Sequence, residues 1–151
     1  MIPRRPHRAS PDSPDFLRWL DVIHRNLDPL PRVAVFSGTR DASVATGTQA
    51  ITGIGFKPKA VVSFSVGTSG GGDQASVSGT SDGTLNKCLE TGITGQNFFQ
   101  GSFLGIWRTA EGGGDFQSCV VSTFDTDGLT LSWTKSGTPT GTISFYGMAL
   151  G

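Results

Sequence analysis

The chain has 151 residues, enough for one ordinary domain with a small appendage that needs neither disulfide bonds nor metal for stability. Charged residues make up 16% of it and the formal net charge is zero, so no overall field attracts nucleic acid or a strongly acidic partner. All 22 glycines lie from Gly38 onward, whereas six of the eight prolines precede that residue. This composition divides the chain into a proline-rich arm, residues 1–31, and a glycine-rich body, residues 32–151.

The arm begins with a short basic segment in which Arg4, Arg5, His7 and Arg8 stand among prolines. This composition favours extended backbone that orders on a partner, or a terminus without a role. The basic residues are not followed by the apolar stretch of a secretory signal peptide, and no run is long enough to cross a membrane. Nucleic acid is an unlikely ligand because no aromatic side chain stands among the arginines.

A helix is predicted from about residue 14 to residue 27. Ser13 is a favourable N-cap, Pro14 stands at the first helical position, and Asp15 suits the positive end of the helix dipole. The helix should end before Pro29, because the residue preceding a proline resists helical backbone.

The predicted helix is amphipathic. One stripe of it carries the apolar side chains of Phe16, Leu20, Ile23 and Leu27. Either the body of the same chain covers this stripe or another protein does, with Phe16 and Trp19 as aromatic anchors. A membrane surface is less suitable, since acidic residues offset the basic ones.

The body shows strands and turns throughout. Residues 47–66 read as two strands joined by a corner at residues 56–58, and the second strand alternates Ala60, Val62, Phe64 and Val66 with Lys59, Val61, Ser63 and Ser65. About nine short strands are predicted, at residues 33–36, within 43–52, and at 59–66, 74–79, 84–91, 98–107, 116–124, 129–134 and 143–150. Residues 98–107 are expected to form one strand, bulged or closely packed at its glycines. The prediction is an all-β fold, an antiparallel β-sandwich of jelly-roll kind, preceded by the arm and one short helix.

The residues that catalysis requires are scarce in the body. Both histidines, His7 and His24, lie in the arm, so a Ser-His-Asp or Cys-His site would lack its base. Cys88 and Cys119 are far apart in sequence and have no neighbouring histidine, which argues against zinc. The favoured interpretation is two buried free thiols, with one disulfide as the alternative.

The segment Asp125-Thr126-Asp127-Gly128 contains two acidic residues but lacks the other ligands of a calcium loop. Its Asp-Gly ending is more typical of a hairpin turn. From the whole inventory we expect no enzymatic activity, no metal and no cofactor.

Two motifs resemble a known family. GTQAITGIGFKPKAVVSFSV, residues 47–66, and DTDGLTLSWTKSGTPTGTISFYGMALG, residues 125–151, resemble the start and end of a β-sandwich domain of tailed-bacteriophage virion proteins, of the head-decorating, head-fibre or tail-fibre type. The resemblance covers about a third of the chain directly and carries no catalytic residue. It implies a structural virion protein, made in the host cytoplasm without a signal peptide, that binds capsid or tail proteins and forms a homo-oligomer, with a trimer favoured.

Two functions follow as hypotheses. In the first, the arm and helix fasten a displayed sandwich to the particle through Arg4, Arg5, Arg8, Phe16, Trp19, Leu20, Ile23 and Leu27. Charge favours this, because residues 1–32 hold six basic and four acidic residues, whereas the remainder holds six basic and eight acidic ones. In the second, the body is a carbohydrate-binding receptor-recognition module that stacks sugars on Trp107, Trp133 or Tyr146, although the alternation of these strands favours core positions for the aromatics.

Overall fold

The computed structural model describes residues 13–27, 31–68, 74–91, 98–108 and 114–151, with the side chains of residues 24–27, 68, 74, 75, 98 and 99 left out. The chain divides into two compact units, Met1–Pro31 and Arg32–Gly151.

The first unit contains the helix α1, Pro14–Leu27. Ser13 caps it, since the N–H of Phe16 donates to the Ser13 Oγ at 3.2 Å and the N–H of Leu17 donates to the Ser13 carbonyl oxygen at 3.0 Å. The first bond satisfies an N–H group that has no partner within the helix, and the second is the first i to i−4 bond of the helix. The helix therefore begins where the Ser-Pro-Asp pattern predicts.

The second unit is a two-layer β-sandwich, which confirms the predicted fold class. In the part of the chain that the structure describes, its strands are β1 (Val33–Asp41), β2 (Gly47–Thr52), β3 (Ala60–Thr68), β4 (Gln74–Ser81), β5 (Asn86–Thr91), β6 (Phe98–Gly101), β7 (Gly105–Arg108), β8 (Phe116–Asp125), β9 (Gly128–Ser136) and β10 (Thr142–Leu150). All pairings are antiparallel, and they form a six-stranded sheet of order β1-β10-β3-β4-β5-β6 and a four-stranded sheet of order β2-β9-β8-β7.

The two ends of the body chain are wound together in the manner of a jelly roll. The first strand pairs with the last, the second pairs with the last but one, and β10 lies between β1 and β3. The middle of the chain instead runs as two meanders, β3 to β6 in one sheet and β7 to β9 in the other. Jelly-roll winding is therefore limited to the outer strands.

The corner between β2 and β3 carries the chain from the four-stranded to the six-stranded sheet. Gly53 and Gly55 both adopt positive φ angles, 83° and 82°, which a side chain would disfavour. The Asp127 carboxylate accepts their N–H groups at 3.1 and 2.5 Å, and the N–H of Ile54 donates to the Asp127 carbonyl oxygen at 3.1 Å. The corner is thus tied to the turn between β8 and β9.

The prediction of one strand over residues 98–107 is wrong. The segment forms two short strands in different sheets, β6 beside β5 and β7 beside β8. Leu104 lies in the crossing between them, close against the backbone of β4, where a Cβ at Gly79 would overlap the Leu104 carbonyl oxygen. The glycines therefore mark a change of sheet, which local alternation cannot reveal. Residues 43–46, expected to add strand, form a turn and loop.

The core lies between the sheets and includes Trp133, Leu129, Leu131, Ile143 and Val61. Strand β3 alternates as predicted, but the side that faces this core carries Val61, Ser63 and Ser65. Its more apolar side, with Phe64 and Val66, faces outward.

Candidate functional site

The helix presents apolar side chains on its surface. Leu17 and Leu20 are 55% and 41% exposed, and Phe16, Trp19 and Ile23 are half-buried. The rings of Phe16 and Trp19 lie 5.6 Å apart between centroids with a tilt of 31°, which places two aromatic side chains next to each other on one helical turn. Such a pair offers a large contact area at a small cost in conformational entropy.

Several predicted anchor residues lie outside this description. Arg4, Arg5 and Arg8 are outside the described residues, and of Leu27 only the helical backbone is described. Contact of the arm with capsid or tail proteins therefore stays a prediction.

Trp107 and Trp133 lie inside the sandwich, 5% and 0% exposed, with ring centroids 5.2 Å apart. The cavity beside them has a volume of about 10 Å³, roughly the space of one water molecule. Neither ring is accessible to a sugar, so these two residues cannot form the predicted stacking platform. Trp107 and Trp133 both occupy the core positions that strand alternation favours.

Tyr146 lies elsewhere. It projects from the outer side of β10, and 61% of it is exposed. The prediction of a core position for this aromatic residue is wrong, because its strand buries Ile143, Phe145, Gly147 and Ala149 on the opposite side.

An ion pair between Glu90 and Arg108 joins the two sheets. Glu90 points inward from β5, and its Oε2 lies 3.1 Å from the Nε of Arg108 on β7. Burial raises the pKa of the Glu90 carboxyl, and the hydrogen bond and charge of Arg108 oppose this rise without cancelling it. The sequence indicated no partner for Glu90, because the two residues meet only through the change of sheet between β6 and β7.

A second polar group fastens the turn after β1 to the four-stranded sheet. Gln117, fully buried on β8, accepts a hydrogen bond from the Arg40 Nε at 2.7 Å and donates to the carbonyl oxygens of Ala42 and Val44 at 2.8 and 2.6 Å. The Arg40 guanidinium also lies 4.9 Å from the centroid of the Trp133 ring. Both partners of each of these hydrogen bonds belong to the protein itself, which indicates a structural role.

Cys88 and Cys119 are both buried and not joined in a disulfide. Burial raises the pKa of each thiol, which disfavours the thiolate form.

The acidic residues of the β8–β9 connection are occupied by the protein itself. Asp125 pairs with Gly128 across a two-residue turn, which confirms the predicted hairpin. The Asp125 carboxylate accepts the hydroxyl groups of Thr123 and Thr130 at 2.9 and 2.8 Å, and Asp127 binds the corner. Within the described ranges, no cluster of three or more His, Cys, Asp or Glu side chains is placed to hold a metal ion. Among those same residues, no helix is both long and apolar enough to span a membrane.

No protein-family model and no curated protein matches the chain. Among solved structures, the chain has a weak similarity to the crystal structure of a tailspike protein, gp49, from Acinetobacter baumannii bacteriophage Fri1, a capsular polysaccharide depolymerase. The identity is 9% and the TM-score 0.31, over 85% of this chain and 21% of the tailspike. The chain thus spans about a fifth of that protein's length, and a likeness of this size carries no argument about fold or function.

Proposed function

We propose that this protein is a structural component of a bacteriophage virion, a β-sandwich displayed on the particle and attached to capsid or tail proteins by its N-terminal arm and helix. The observation that carries the proposal is the helix: a separate, capped, amphipathic unit that exposes Leu17 and Leu20 beside an aromatic pair. A helix of 14 residues gains most of its stability from packing of its apolar side, so a partner surface is its natural complement.

The sandwich supports the same function through its two phage-like motifs. The motif of residues 47–66 contacts the motif of residues 125–151, because the Asp127 carboxylate of the second accepts the N–H groups of Gly53 and Gly55 of the first. They therefore form one structural unit, as expected if the resemblance extends over the whole body.

The proposal is tested by incorporation of the full-length chain into phage particles. We expect the double variant Trp19→Ala/Leu20→Asp to lose at least about tenfold in copies per purified particle, since interface aromatics commonly contribute 2 kcal/mol or more. A chain that lacks residues 1–31 should remain folded and soluble and should not join particles.

The control is Leu85→Asp, which makes the same substitution as Leu20→Asp at an exposed leucine in the turn before β5. It should be incorporated like the wild type. Normal incorporation of the helix variant, or equal loss for the control, would contradict attachment through the helix.

The carbohydrate-binding alternative retains only Tyr146 of its three proposed stacking residues. A glycan array of host polysaccharides tests it directly. Binding that Tyr146→Ala abolishes would support this alternative, and no binding would end it.

A further inference from the structure

The outer side of the six-stranded sheet is apolar across neighbouring strands. Exposed on it are Val33 and Val35 of β1, Tyr146, Met148 and Leu150 of β10, and Phe64 of β3. The register makes them neighbours: Val35 lies opposite Met148, which lies opposite Val62, and in the next row Tyr146 lies opposite Phe64. We call the outward side of β1, β10, β3 and β4 the apolar face.

The apolar face is uncharged except at its borders, where Asp41 ends β1 and Lys87 of β5 lines the edge. The outward positions 33–39 of β1, 144–150 of β10, 60–66 of β3 and 76–80 of β4 hold only apolar, tyrosine, serine and threonine side chains. A surface with so few charges can face a copy of itself with little like-charge repulsion, whereas it offers little to steer a charged partner.

The apolar face has a groove over one strand and a ridge of larger side chains beside it, and the two can fit together. Over β4 the outward side chains are small, Ser78 and Thr80, between Val62 and Phe64 on one side and Lys87 and Leu89 on the other. The resulting groove has a volume of about 400 Å³. Beside it the larger side chains of β3, β10 and β1 form a ridge.

The size of the sheet is sufficient for a specific interface. With strands about 4.8 Å apart and a rise of about 3.3 Å per residue, the four strands of the apolar face present roughly 550 Å² before side-chain relief is counted. Two copies would then bury about 1,100 Å² in total, slightly above the roughly 1,000 Å² expected of a specific interface.

From these observations we propose that the apolar face binds a second copy of this chain, with the ridge of each copy in the groove of its neighbour. Ridge and groove lie side by side on one face, so the contact can close as a symmetric ring. Phe64 lies where the ridge borders the groove and Tyr146 lies opposite it on β10, so these two are the expected centre of the interface. This interface involves other residues than the helix, and it does not depend on attachment to a particle.

The test is the mass in solution of the purified full-length chain, by light scattering and sedimentation. We expect a wild-type mass of two or three times the 15.8 kDa of one chain. Phe64→Glu buries a charge in the apolar interface and should reduce the mass to that of one chain at the same concentration. A circular dichroism spectrum that keeps its β-strand signal shows that the variant is folded. If Phe64→Glu does not fold, Val35→Lys replaces it in the test, because Val35 is 77% exposed.

Two controls separate this face from other surfaces. Thr48→Glu adds the same charge to the exposed outer side of the four-stranded sheet and should leave the oligomer intact. Leu20→Asp changes the helix alone and should also leave it intact.

The proposal is overturned by a wild-type chain that is monomeric, whether the helix of its own chain or a glycan occupies the face. It is overturned equally by an oligomer that survives both Phe64→Glu and Val35→Lys, or that Leu20→Asp dissociates when those two do not. Loss of particle incorporation with an intact oligomer would concern only the helix, which keeps this test distinct from that of the proposed function.

Discussion

The outer sides of the two sheets differ in chemistry, although the side chains of both sheets alternate between the core and the outer surface. The four-stranded sheet turns hydroxyl groups outward, from Thr48, Thr52, Thr130, Ser132 and Thr134, whereas the six-stranded sheet turns out valine, phenylalanine, methionine and leucine. Both sheets bury apolar residues on their inner sides. The difference shows that a hydrophobic alternation in a strand does not by itself identify the side that faces the core.

The largest difference in stability is expected between substitutions of an aromatic residue in the core and of one on the outer surface. Trp133→Ala leaves a large cavity between the sheets and should lower the free energy of unfolding by about 3–5 kcal/mol. Tyr146→Ala, on the apolar face, should change the stability of the isolated fold by at most about 0.5 kcal/mol. Urea unfolding of both variants at a concentration where each is monomeric measures this. Similar losses for the two would contradict the assignment of Tyr146 to the surface.

A smaller effect is expected at the corner that joins the two sheets. Asp127→Ala removes the acceptor of the Gly53 and Gly55 N–H groups, and we expect a loss of about 1–2 kcal/mol, limited by the access of water to this exposed site. The matched control is Asp125→Ala, two residues away, which removes only hydrogen bonds from threonine hydroxyls and should cost less. Thermal unfolding compares the two variants. If Asp125→Ala cost as much or more, Asp127 would not be the residue that holds the corner.

The smallest effect concerns the ion pair between the sheets. Because the pKa of Glu90 is raised in the folded state, its contribution to stability is present in acid and is lost as the pH rises through that pKa. Glu90→Gln has no charge to bury, so its stability relative to the wild type should increase from about pH 4 to about pH 7. Unfolding midpoints in urea across this range measure the difference.

The partner residue provides the control for this prediction. Arg108→Gln removes the group that opposes the rise of the Glu90 pKa and should make the loss of stability with rising pH steeper. Parallel pH profiles for the wild type and Glu90→Gln would show that the Glu90 carboxyl titrates alike in the folded and unfolded states.

Much of the local structure was predictable because its causes lie within a few residues. The cap at Ser13, the proline that follows it and the spacing of the apolar side chains define α1. The Asp-Gly pair defines the β8–β9 hairpin, and the glycines and Pro58 define the corner before β3. The proximity of Phe16 and Trp19 follows in the same way from their spacing of three residues on the helix, whereas their role as anchors stays a prediction.

The sequence by itself thus determined the helix, the turns, the positions of most strands and the β-sandwich class, since these depend on local backbone preferences and on periods of two or four residues. The tertiary structure alone decided that residues 98–108 divide between two sheets, that Glu90 meets Arg108, and that Phe64 and Tyr146 face outward while Trp107 and Trp133 face the core. Alternation establishes that a strand has two different sides. Which side is buried depends on where the second sheet packs, and that is set by residues far away in the sequence.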